Sequence, residues 1–267
     1  MAFELTRRGL LDHRRALVGW CVGVIGYAAL VCSIFPSIKG SADFEKLVEH
    51  YPDALKSLFG IGQGGDITSG AGFVDAELFS LMLPLFVLVL AISSGVRTFA
   101  AEEESGRLDL VLSYPVRRRE SVFAKGVAVA GEIAIVCAVG FAALFVLSGL
   151  IGLDLDLSRL AGAFLGLAAL GLFYGWLALA IGAAVPSKTL ALGLPAGYAA
   201  AAYLVSGLHS LAGWLDPFRF LSPFWLVGSA PLQSGVDGWG VLVVFAAAVV
   251  ALTLGGVLVE RRDLQTP

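Results

Sequence analysis

Six long apolar stretches dominate this chain and limit what it can fold into more than any other feature. They run over 16–36, 78–98, 126–150, 160–185, 190–211 and 238–259. A bilayer's hydrocarbon core is about 30 Å thick, which a helix crosses in roughly 20 apolar residues. Each stretch meets that length. Backbone groups in hydrocarbon must find their partners within the segment, so a single apolar run crosses as a helix. Of the 267 residues, 58% are hydrophobic and only 15% charged, where an ordinary soluble domain carries about 25% charged residues. The expected fold is an all-α integral membrane protein with six transmembrane helices.

Orientation follows from Lys and Arg, which are retained on the cytoplasmic side. With both termini cytoplasmic, that side holds Arg7, Arg8, Arg14, Arg15, Arg97, Arg107, Arg117, Arg118, Arg119, Lys125, Lys188, Arg261 and Arg262. The other side holds only Lys39, Lys46, Lys56, Arg159 and Arg219. Acids weight the first outer loop (Asp43, Glu45, Glu49, Asp53, Asp66, Asp75, Glu77). The first apolar run is long and lacks a small-residue cleavage site, so it is expected to be retained as a span. The expected location is the plasma membrane, multi-pass, the inner membrane in a prokaryote.

Polar chemistry gathers at 99–125, between the second and third runs. Glu102, Glu103 and Glu104 lead to Gly106, an apolar LDLVLS, Pro115 and Arg117-Arg118-Arg119. Leu108, Val111 and Leu112 give a short helix with one apolar face, ended at Pro115. Charge of both signs around an apolar face suits docking to a soluble partner. A basic loop that only fixes topology is the plainer alternative. The stretch 1–15 places Phe3, Leu5, Leu10 and Leu11 among four arginines, a pattern that lies at an anionic lipid surface or against a partner.

Other features carry paired readings. Glu132 is the clear acid inside a span, and such carboxylates are costly and often functional. Pairing with a neighbouring helix or a watered vestibule is the bland account, a proton relay the sharp one. Trp214, Phe218, Phe220, Phe224 and Trp225 form an aromatic group before the last span, where an interfacial belt is the default. Gly19/Gly23, Gly162/Gly166, Gly171/Gly175 and Gly193/Gly197 have the spacing that lets helices approach closely. Pro84 and Pro195 fall inside spans and are expected to bend them. In 37–77, Phe44, Leu47, Val48, Tyr51, Leu55 and Leu58 recur at helical spacing, followed by a Gly-rich return. Cys21, Cys32 and Cys137 lie in apolar runs and are expected to pack as small hydrophobes.

Absences narrow the chemistry. No G-x-x-x-x-G-K-[ST] occurs; Ser187-Lys188-Thr189 lacks the preceding glycines. No H-E-x-x-H, G-x-S-x-G or C-x-x-C occurs either, so metalloprotease, hydrolase and dithiol redox roles have no support. No catalytic residue, metal site or nucleic-acid partner is expected. A standalone secondary carrier or channel, with Glu132 as coupling group, is the alternative to a subunit driven from outside.

The order of parts resembles the permease subunits of ABC-2 type transporters. The resemblance rests on Glu104-Ser105-Gly106-Arg107-Leu108, then Leu112-Ser113-Tyr114-Pro115-Val116-Arg117, then Val122 and Lys125, set between the second and third of six spans. It covers essentially the whole chain, through loose motifs. It implies a coupling helix that docks into a cytoplasmic ATPase through Glu104, Gly106, Arg107, Leu108, Val111, Leu112, Pro115 and Arg117. It implies a second cytoplasmic contact at Pro186, Ser187 and Lys188, and an interface segment at 1–15. Residues 215–232 resemble an outer segment that re-enters the membrane, with Phe218, Phe220, Phe224 and Trp225 as an outer gate. Two ATPase subunits carrying ATP and Mg, and a second permease, identical or related, would complete the machine. The cargo would be a hydrophobic drug, antibiotic or lipid-like molecule, moved along the second and fifth spans.

Overall fold

The structure is a computed structural model that describes residues 14–39, 50–58, 67–98, 118–185 and 187–261. Among these residues it is all helical, and six helices are long and apolar enough to cross a membrane. The elements are α1 (Arg14–Ile38), α2 (Asp53–Leu58), α3 (Gly70–Val74), a π-helical turn (Asp75–Phe79), α4 (Met82–Thr98), α5 (Arg118–Ile151), α6 (Leu157–Ala184), α7 (Lys188–Leu208), a 3-10 turn (Asp216–Leu221), α8 (Pro223–Val227) and α9 (Gly238–Glu260).

Short polar caps start the helices between apolar runs. Asp156 accepts from the Arg159 N–H at 2.9 Å, Ser187 from Leu190 at 3.3 Å, and Asp237 from Trp239 at 3.1 Å. Each satisfies a first-turn donor that has no partner within the helix. Helix α5 ends where Gly152 takes φ +72°, and the N–H groups of Gly152 and Leu153 both return to the Ser148 carbonyl. That left-handed closure is cheap for glycine and lets the chain reverse into α6 within a few residues.

Two helices overrun the expected spans. The second span begins at Gly70 rather than 78, because α3, the π turn and α4 form one run, Gly70–Thr98. The tail of the expected Gly-rich outer loop is therefore buried helix. Ser69 caps it, accepting from Gly72 N–H at 3.1 Å. Gly70 lies so close to the next hairpin that an added Cβ would come 2.0 Å from the Leu153 carbonyl oxygen. Helix α5 begins at Arg118, so the last eight residues expected in the 99–125 loop are helical. Glu120 sits favourably in its first turn, and Ser121 and Val122 are buried. Pro84 falls in the first turn of α4, just past the turn at 80–81 that follows the π-helical turn, whereas Pro195 lies inside α7. Of the surface helices expected in 37–77, α2 is present; Phe44, Leu47 and Val48 lie outside the described residues.

Helix α6 stands at the centre, packed on α4, α5, α7, α8 and α9. In the most apolar windows of the second and fourth spans 67% of residues are buried, against 22–28% in the other four. The bundle thus has a two-helix spine wrapped by four helices that keep broad apolar faces outward, such as Val18, Val22 and Leu30 on α1. Lipid gives helices no hydrophobic reason to associate, so close van der Waals contact has to do it. Glycine permits that contact on the spine: a Cβ at Gly95 would lie 2.3 Å from the Gly175 carbonyl oxygen.

Candidate transport cleft and its polar fasteners

An apolar cleft of about 380 Å³ lies between α4 and α7. Leu85, Leu88, Val89 and Ile92 form one wall, and Ala196, Ala199, Ala200 and Leu204 the other. Small alanines on α7 create the space; Tyr203 and Phe224 stand at the end nearer α8. Leu85, Val89 and Leu204 are each nearly half exposed, so the cleft opens on the flank of the bundle. A smaller cavity of about 40 Å³ shares Pro84, Tyr203 and Phe224 with it and is lined by Ser57, Ser80, Ser206 and Ser229. Helix α2 covers this second space. Its Ser57 hydroxyl donates to the Gly207 carbonyl, and Tyr203 donates to the Leu58 carbonyl at 3.0 Å.

The segment between α7 and α9 is fastened at several points. Tyr198 donates to the Leu221 carbonyl at 2.6 Å, and the buried Ser222 hydroxyl to that of Ala202 at 2.7 Å. The turn at Leu232–Gln233 is gripped from both sides. Its two N–H groups donate to the Asp75 carboxylate at 2.9–3.1 Å, while Arg159 donates to both carbonyls. Asp75 is 2% exposed. A buried carboxylate that accepts several N–H bonds replaces the water it loses. Gly240 allows α9 to start against this segment, since a Cβ there would come 1.8 Å from the Leu226 carbonyl oxygen.

A third polar group sits at the opposite end of the bundle. Glu132 of α5 is 3% exposed. Ser94 of α4 donates to its Oε2, and the Arg97 guanidinium lies 3.9 Å from the same oxygen. Lys125, two turns before Glu132, donates to the Thr98 carbonyl at the end of α4. Trp176 of α6 donates to the Gly126 carbonyl at 2.9 Å.

A family model described as multidrug efflux system permease Rv1217c, C-terminal domain, matches residues 10–259. The chain belongs to this permease family. No curated protein sequence matches it. Family and helices together make it a multi-pass membrane transporter permease, a transport subunit rather than an enzyme.

Within this permease the expected site residues separate. Glu104, Gly106, Arg107, Leu108, Val111, Leu112, Pro115 and Arg117 lie outside the described residues, as do Pro186 and 1–13. Ser187 and Lys188 cap and open α7. Of the four aromatics expected at an outer gate, Phe224 alone lines the cleft. Phe220 and Trp225 meet edge to face at 5.1 Å beneath the Arg219 guanidinium, and Phe218 is exposed. Glu132 does pair with a neighbouring helix. The sequence does not single out Asp75, because among outer-loop acids nothing local marks one that folds inward. Its one signal is position, a few residues before the second apolar run.

Proposed function

We propose that this permease is the membrane-spanning half of an ATP-driven exporter of hydrophobic or amphipathic compounds. Two cytoplasmic ATPase subunits would dock on the 99–117 segment, carry the ATP and Mg, and act on two permease copies or a related pair. The observation that carries the reading is the apolar cleft between the second and fifth spans. Its walls offer almost no hydrogen-bonding groups and it opens on the flank of the bundle, so an apolar compound already dissolved in lipid would enter with little desolvation cost. The matched family's description, multidrug efflux, agrees with such a cargo.

Work would come from the partner. ATP binding would alter the partner's affinity for two arrangements of the spans, and that difference in affinity is all the energy available for reorientation. Ethidium efflux from vesicles tests this. Efflux should require this chain, a partner ATPase and ATP together. Efflux by the purified chain with neither ATPase nor ATP would overturn the reading in favour of a standalone carrier.

A further inference from the structure

The polar side chains at the α4–α5 end of the bundle are arranged as fasteners between helices. Ser94 and Arg97 occupy the last two turns of α4, and Thr98 is its final residue. All three engage α5, through Glu132 and Lys125. Lys125 and Glu132 lie two turns apart on α5, so α4 is held at two heights rather than at one pivot. The third helix is drawn in at the same level. Gly95 lies against the Gly175 carbonyl and Ala178 of α6, and Trp176 of α6 bonds the Gly126 carbonyl of α5. These ends of α4 and α5 are the two stems of the 99–117 segment.

We propose that Glu132 is a positioning residue that, with Ser94, Arg97 and Lys125, locks both stems of the 99–117 segment and α6 into one rigid body, so that a push on the segment moves the spine as a unit. The role in transport rests on the proposed docking of an ATPase at that segment; the lock itself does not. Chemistry favours a lock over a proton carrier. The Glu132 oxygen already accepts from Ser94 and faces a guanidinium, so its partners are fixed protein groups. Two helices joined only by apolar contact in lipid can slide, whereas a hydrogen bond made in hydrocarbon has no water to exchange with.

Two variants separate the readings. Glu132→Gln keeps an acceptor for Ser94 but cannot carry a proton; Glu132→Ala removes the acceptor. The first measurement is hydrogen exchange at 94–98 and 118–126 in the purified chain, with no partner present. Exchange should rise at least tenfold in the alanine variant and stay within about threefold of the parent in the glutamine variant. Parent-like exchange in Glu132→Ala would overturn the lock. The second measurement uses the complex with its ATPase, with Ser206→Cys as a reporter in a background where the three natural cysteines are alanine. ATP should change the maleimide labelling rate of that cysteine in the parent and in Glu132→Gln. In Glu132→Ala the ATPase should still bind and turn over while labelling no longer responds. Equal loss in both variants would overturn the lock in favour of a titrating acid. Failure of the parent to recruit any ATPase would overturn the proposed function, and the exchange measurement would still decide the lock.

Discussion

Asp75 and Glu132 show how a carboxylate can sit inside an apolar bundle. Each is enclosed: both Asp75 oxygens accept backbone N–H groups, while Glu132 accepts the Ser94 hydroxyl at Oε2 and has the Arg97 guanidinium 3.9 Å from the same atom. Breaking such an arrangement costs more than the bond itself, because the abandoned donors stay buried. Asp75→Ala should therefore lower stability by about 3 kcal/mol. A fall in the thermal midpoint in detergent, with faster exchange confined to 230–234, would be the signature; an unchanged midpoint would deny Asp75 this role. Asp156, at the exposed start of α6, behaves differently. The Ser158 hydroxyl, and then the Arg159 N–H, hold its carboxyl below the ordinary Asp value of 3.8. A depressed folded value means its capping contribution is present above the ordinary Asp range and lost as pH falls through the folded value. Asp156→Asn keeps an accepting oxygen with no proton to gain. Protection at the α6 start, taken relative to the intrinsic exchange rate at each pH, should thus fall in acid in the parent and stay flat in the variant.

At the scale of elements, glycine spacing has two meanings that only packing separates. Gly171 and Gly175 meet Val87, Ile133, Val129 and Ala91, and Gly166 meets Val227. At Gly19, Gly23, Gly193 and Gly197 an added Cβ would meet nothing within 4 Å. Gly95 is tight where α4 meets α6 because backbone faces backbone there, and backbone cannot rotate away. Gly95→Ala should cost about 1–3 kcal/mol by pushing α4 from α6. Gly19→Ala should leave the midpoint where it is, or raise it slightly by helix propensity. Equal effects from the two would refute the division between packed and open glycines. The same logic explains the second span's early start. Gly70 and Asp75 look like loop residues in sequence, yet contacts with Leu153 and Leu232 hold them in the bundle.

Across the whole molecule, a buried two-helix spine carries the cleft on one flank, the Asp75–Arg159 grip at one end and the Glu132 fasteners at the other. The cleft depends on α7 presenting alanine toward α4. Ala200→Trp should fill much of it, cutting ethidium efflux by tenfold or more while the partner's ATP hydrolysis continues. Unimpaired efflux would place the cargo path elsewhere.

The sequence by itself determined that six stretches are long and apolar enough to cross a membrane as helices, because helix length in hydrocarbon is set by bilayer thickness and charge is excluded from it. It marked Glu132 for the same reason, as an expensive residue needing an explanation. It did not distinguish the enclosed spine from the outward-facing helices. A span apolar on every side carries no record of which face meets protein and which meets lipid. Nor did it identify Asp75, whose donors lie 157 and 158 residues away. Tertiary structure decided those matters, because enclosure, close glycine contact and polar pairing arise only where distant helices meet.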